Sequence, residues 1–120
     1  MLEISTAGMI AKAASVVHPK KSGDSLVGDV GCALLSENGN RYLGVCMDIG
    51  SGIGFCAEHS AIAQMVTAGE SRIQKLVAVA ENNRLLPPCG RCREFLYQID
   101  RSNLQAEIIL GLDKTVRLEA

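Results

Sequence analysis

Two short cysteine clusters constrain this chain more than any other feature. The first is Cys56-Ala57-Glu58; the second is Pro88-Cys89-Gly90-Arg91-Cys92-Arg93. Each follows a loop and opens a stretch of helical apolar spacing. The first helix spans Cys56 to Ala68, with Ala61, Ile62, Met65 and Val66 inward and Gly69 closing it. The second spans Cys89 to Ile99, with Pro88 marking its start. For the clusters to meet, both helices must begin at one edge of a sheet, fed by parallel strands. Ile73 to Ala80, between them, is an almost continuous apolar run, as expected of a central strand covered on both faces.

The remaining segments complete such a sheet. Met9, Ile10, Ala13, Ala14 and Val17 share a helical face that Pro19 terminates. Residues 20–25 read as a polar loop, Val27 to Leu35 as a buried strand, and Asn38-Gly39 as a hairpin turn into a second strand, Arg41 to Met47. Residues 48–55 form a glycine-rich loop and residues 82–88 another loop. Ala106 to Leu110 is a fourth strand and Thr115 to Leu118 a short fifth. The order predicts an α/β fold: a mixed sheet with helices on both faces. A length of 120 residues fits a single domain, residues 1–120.

Composition narrows the function classes. Net charge is -1, aromatics are 3% and Trp is missing, which argues against a nucleic-acid surface. No apolar run approaches the roughly 20 residues that span a bilayer. Lys12 interrupts the first apolar pattern and no basic leader precedes it, so no signal peptide is expected. These features point to a cytoplasmic protein without membrane or nucleic-acid partners. Five cysteines, an odd number, then read as free, catalytic or metal-bound thiols.

Thiolate chemistry gives the clusters a purpose. A helix N-terminus carries partial positive charge and free N–H groups, which favour thiolate over thiol. Cys89 and Cys92 lie on one helical turn and can reach one ion, with Cys56 arriving from the other helix. Three protein ligands on Zn²⁺ leave a fourth position for water, the mark of a catalytic site. Glu58 stands where a carboxylate can move that water's proton. C-x-x-C alone also suits a redox motif or a structural zinc knuckle. Cys32 and Cys46 lie inside strand patterns and read as small core residues.

The pairing of C-A-E with P-C-x-x-C, 33 residues apart, resembles the zinc deaminases. CAE at 56–58 and PCGRCR at 88–93 resemble the free-nucleoside cytidine deaminases and blasticidin S deaminase. Val30-Gly31-Cys32-Ala33-Leu34-Leu35 followed by Glu37-Asn38-Gly39 is similar to that family's V-G-A-A-L-L hairpin. The resemblance implies a three-layer α/β/α sandwich around a mixed, roughly five-stranded sheet, and a homotetramer. It implies a hydrolase of an amidine C–N bond in pyrimidine salvage. Zinc-activated hydroxide would attack the ring carbon bearing the amino group, with Glu58 as proton shuttle. Arg93 matches a family arginine that hydrogen-bonds the zinc thiolates, where a guanidinium withdraws charge from the sulfurs.

The substrate contacts depart from the family pattern. Cytidine deaminases usually carry G-x-N-x-E on the second strand, whose Asn and Glu hold the ribose. Here the segment is Gly44-Val45-Cys46-Met47-Asp48. Cys46 lacks the paired donor and acceptor of Asn. Asp48 reads as a shorter acceptor or as a solvated loop acid. The family aromatic ahead of V-G-A-A is Gly28 here. Phe55 reads as its replacement in the pocket wall or as a core residue, and Ala57 as a further substrate contact. Gly50, Gly52 and Gly54 read as a mobile loop over the metal site, since G-x-G-x-G without a P-loop lysine is no phosphate motif. His59 reads as a supporting or solvent-facing residue, and Arg91 as solvated or at a subunit contact.

The expected activity is hydrolytic deamination of an aminopyrimidine nucleoside, cytidine or deoxycytidine. Cys46 and Asp48 motivate an alternative, a nucleoside antibiotic such as blasticidin S or a modified cytosine compound. A zinc-stabilised binding protein without turnover is the alternative from another class, and Glu58 argues against it.

Overall fold

The computed structural model describes residues 5–23, 25–49 and 54–119. Helix α1 (Thr6–Ser15) starts at Ser5, whose hydroxyl accepts from the Gly8 amide at 3.0 Å. The strands are β1 (Lys20–Ser22), β2 (Ser25–Ser36), β3 (Arg41–Asp48), β4 (Ile73–Ala80), β5 (Leu85–Leu86), β6 (Glu107–Gly111) and β7 (Lys114–Arg117). Helix α2 (Ala57–Thr67) joins β3 to β4, and α3 (Gly90–Ile99) lies between β5 and β6. The sheet runs β1-β2-β4-β6-β7, with β3 paired to β2 and β5 to β4. Only β4–β6 is parallel among these pairings; the others are antiparallel.

The sheet therefore holds seven strands rather than five. The additions fall in segments expected to be loops: β1 within residues 20–25 and β5 within residues 82–88. Strands of three and two residues are too short to show an alternating pattern.

The pleat sorts the apolar residues of β2 and β4 onto two faces. Cys32, Leu34 and Leu76 join Ala61, Ile62 and Met65 of α2 and Leu96 of α3. Ala33, Leu35, Val77 and Val79 meet Met9 and Ala13 of α1. Helices cover both faces, giving the α/β/α layering. The inward stripe of α2 is Ala57, Glu58, Ala61, Ile62 and Met65, whereas Val66 is 45% exposed. Val66, one turn beyond Ile62, lies at the solvent edge of this stripe.

Glycine sets how closely α2 lies on the sheet. A Cβ on Gly44 would strike the Ala61 amide nitrogen, 2.7 Å from Ser60 Cβ and 2.8 Å from Ala57 O. A second glycine shapes β2. Val27 pairs with Met47 and Gly31 with Val45, so Gly28, Asp29 and Val30 stand against Cys46 alone. This is a β-bulge. Gly28 holds φ at +79°, and a Cβ there would lie 2.5 Å from the His18 carbonyl oxygen.

Beyond the hairpin turn, Asn38 and Asn40 donate to the Glu70 carboxylate at 2.9 Å each, and Tyr42 donates its hydroxyl. The Tyr42 bond foremost, then those of Ser36 and Asn40, hold Glu70 down at about 2. The ionised form is thus preferred in the folded state. Its stabilisation is complete above the ordinary glutamate pKa of 4.5 and disappears as pH falls toward 2. In acid titrations of stability, Glu70→Gln should lose less stability than wild type across that window; parallel curves would show that these bonds do not couple to folding. Gly44→Ala should lower the unfolding free energy by about 1–3 kcal/mol in urea, the cost of overpacking rigid backbone.

Candidate functional site

β3 and β4 are both antiparallel to β2, so they run in the same direction. Helix α2 follows β3, and α3 follows β5, the two-residue strand that turns back along the C-terminal end of β4, so both helices open near the same edge of the sheet. Cys56 is the N-cap of α2 and Cys89 the N-cap of α3, both in extended conformation. Cys89 Sγ accepts from the Cys92 amide at 3.4 Å. The two cysteine clusters meet as their spacing requires. Cys56 Sγ lies 3.7 Å from Cys89 Sγ, which lies 3.4 Å from Cys92 Sγ.

These separations suit one ion. Sulfurs on a tetrahedral zinc with bonds of about 2.3 Å stand roughly 3.8 Å apart. The three Sγ atoms all fall within 4.8 Å of one another. Burial raises Cys56 and Cys92, and the nearby Glu58 charge adds to both. Burial raises Cys89 too, but hydrogen bonds from the Cys92 amide and thiol outweigh it and leave Cys89 lowered. Three thiolates this close require a cation to ionise together.

A cavity of about 180 Å³ opens beside the sulfurs. Cys56, Ala57, Glu58 and Cys89 line it from the helix starts; Val30, Cys46 and Asp48 line it from the β2–β3 hairpin; Ala78, Leu86 and Pro87 add apolar wall. Glu58 is 5% exposed, and burial raises its carboxyl above the usual range. Ala57, Cys46 and Asp48 thus lie at the cavity wall.

Phe55 does not line it among the described residues. Its backbone pairs with Met47 in both directions, at 2.9 and 3.0 Å, and its ring stacks toward His59 with centroids 6.5 Å apart. Phe55 remains 36% exposed, so it is not a core residue either. Arg93 Nη2 donates to the Leu118 carbonyl, just past β7, at 2.7 Å. Arg91 donates to the Gly54 carbonyl at 3.3 Å. His59 is buried rather than solvent-facing: its ring lies 4.3 Å from Phe95, and Nε2 has no partner among the described residues. Gly50 and Gly52 of the glycine-rich loop lie outside the described residues; Gly54 lies within them.

Cys46 is more than a core residue. Its thiol donates to Asp29 Oδ1 at 2.6 Å, and burial foremost, then this bond, pushes it up to about 11. Sequence reading gave Asp29 no role. The available signal was Gly28, since a glycine inside a strand marks bulges.

The family model of the cytidine and deoxycytidylate deaminase zinc-binding region matches residues 8–107. The chain belongs to this family. Zinc is accordingly the cofactor of this deaminase fold, and the sulfur cluster is the described site whose donors fit it. A cytidine deaminase of Halalkalibacterium halodurans is 32% identical over 71 residues, 58% of this chain and 54% of that protein. One of Mycoplasma genitalium is 37% identical over the same coverage of each. The chain spans about half the length of the curated relatives it matches. The crystal structure of cytidine deaminase from Mycobacterium leprae superposes with a TM-score of 0.71 at 26% identity, covering 97% of this chain and 92% of that one. That from Burkholderia pseudomallei gives 0.76 at 20% identity over 96% and 94%, a likeness of fold.

Zinc content tests the sulfur cluster. Cys56→Ser, Cys89→Ser and Cys92→Ser should each lose the ion under conditions where wild type retains one per chain, as read by a chromophoric chelator. Retention of stoichiometric zinc in any of the three would remove that sulfur from the ligand set.

Proposed function

We propose that this chain is a single deaminase domain, residues 1–120, that hydrolyses the amino group from an aminopyrimidine nucleoside, with cytidine or deoxycytidine as substrate. The observation that carries the reading is the buried Glu58 carboxylate in the same cavity as Cys56 and Cys89. Zinc held by Cys56, Cys89 and Cys92 supplies Lewis-acid activation of water. Glu58 takes a proton from water, gives it to the ring nitrogen, and assists the departing amine, so that ammonia and the uracil nucleoside result. Val30, Ala78, Leu86 and Pro87 offer the ring apolar walls.

The named activity of the relatives supports this choice. The hairpin wall, with Cys46 and Asp48, favours a second reading in which the substrate is a nucleoside antibiotic such as blasticidin S or another modified cytosine compound. In either case the protein acts in the cytoplasm as a homo-oligomer, a tetramer by resemblance. It serves pyrimidine salvage in the first case, and it acts on a small molecule rather than nucleic acid or membrane. No helix among the described residues is long and apolar enough to cross a membrane.

Ammonia release by the zinc-loaded protein should appear with one member of a panel of cytidine, deoxycytidine, cytosine and blasticidin S. Glu58→Gln should keep zinc and the fold but lose at least 10²–10⁴-fold in turnover, the usual span for a removed proton-transfer group. Undiminished turnover in Glu58→Gln would remove it from the chemistry, and silence across the panel would sink the nucleoside reading.

A further inference from the structure

Cys89 stands apart from the other cysteines. Cys32, Cys46 and Cys92 are buried and Cys56 is half-buried, whereas Cys89 is exposed at the N-cap of α3. It is also the hub of the cluster, with Cys92 Sγ at 3.4 Å and Cys56 Sγ at 3.7 Å. The flank beside it is open, because a Cβ on Gly90 would meet no described atom within 4 Å. One thiol is thus open to solution and has two others within reach. The remaining two stand aside: Cys32 is fully enclosed, and Cys46 donates to Asp29 Oδ1 at 2.6 Å.

Of the two neighbours, Cys92 offers the shorter path. It lies in the first turn of α3, and its amide already donates to Cys89 Sγ at 3.4 Å. A bond between these sulfurs stays within one helical turn and leaves α2 and α3 where they are. A Cys56–Cys89 bond would instead tie two separate helix starts together. Cys92 is 0% exposed, so a reagent in solution meets Cys89 first and Cys92 acts from inside. A C-x-x-C pair with its first sulfur open and its second enclosed suits thiol–disulfide exchange. Such a bond and the metal exclude each other. Zinc takes thiolates, and a Cys89–Cys92 disulfide leaves Cys56 as the one remaining thiolate of the cluster, too few to hold the ion.

We propose that Cys89 and Cys92 form a dithiol–disulfide couple, oxidised by low-molecular-weight disulfides, and that this oxidation ejects zinc. The Cys89 thiolate attacks one sulfur of the reagent, RSSR. A bond forms between Cys89 Sγ and that sulfur, and the other sulfur leaves as RS⁻. The Cys92 thiolate then attacks Cys89 Sγ and expels the second RS⁻. The protein loses two electrons in forming its S–S bond, and the reagent gains them as two thiols. In the metal-free chain the two cysteine protons end on the departing thiolates; in the loaded chain the sulfurs come off the ion, which leaves as Zn²⁺. The inference goes beyond the deaminase reading and is independent of which substrate is turned over.

The test incubates metal-free and zinc-loaded protein with oxidised glutathione and follows intact mass, non-reducing peptide maps and released zinc together. The metal-free chain should become lighter by two hydrogens, with the peptides of Cys89 and Cys92 joined. The loaded chain should release one zinc for each disulfide formed. Added zinc should slow the reaction about tenfold or more, since it holds the chain in the form that is not oxidised. Dithiothreitol should restore both the mass and zinc binding. Cys89→Ser should slow thiol loss about tenfold or more, as the open sulfur is gone, while Cys56→Ser should still form the bond. Wild-type maps carry the proposal even where a variant fails to fold, and the urea-unfolded chain shows that the reagent is competent. A map joining Cys56 to Cys89, a disulfide formed with zinc retained, or a folded chain that stays reduced while the unfolded one reacts would each overturn it. None of these readouts uses turnover, so a silent ammonia assay would sink the deaminase reading and leave this one standing.

Discussion

Everything in the site depends on two helices starting at the same edge of one sheet. Cys56 and Cys89 are N-caps of α2 and α3, and only a shared edge brings their sulfurs to 3.7 Å. The shared direction of β3 and β4, with β5 turning back only along the end of β4, supplies that edge, and β2 lies between the two long strands. The free N–H groups at each helix start then favour negative charge where the sulfurs gather. Glu58 arrives with them because it lies in the first turn of α2.

The cavity draws its walls from two sources with different tasks. The helix starts contribute the sulfurs and the buried Glu58 carboxylate, while the hairpin contributes Val30, Cys46 and Asp48. Gly44 couples the two by letting α2 lie against β3 without an intervening side chain. Changes on the hairpin can therefore alter what is recognised and leave the reactive groups where they are. The bulge at Gly28–Val30 is one such change, made in backbone rather than in side chains.

Much of the architecture was legible because its signals are local. The apolar runs of β2 and β4, the Asn38-Gly39 turn and the spacing of Cys89 and Cys92 all act within a few residues. What escaped depends on partners distant in sequence. Arg93 points where Leu118 offers a carbonyl, a contact set by the course of β7. Asp29 meets Cys46 only through the register of a bulged pair. Phe55 is drawn aside by its backbone pairing with Met47, and His59 is buried by Phe95 from α3. Val66 was misplaced for a subtler reason: an alanine-rich helix defines its buried stripe weakly, so the solvent edge of the stripe was not visible.

The 33-residue separation of Cys56 and Cys89 has a thermodynamic side. An ion shared by these two sulfurs closes a loop through α2, β4 and β5, so it acts on the unfolded chain as a cross-link does. Loading and folding then become linked equilibria, with each stabilising the other. Unlike a covalent bridge, this closure survives in reducing surroundings, where thiols stay available, and it can be withdrawn by competition for the metal. An ion on these sulfurs would thereby limit how far the chain can open around them.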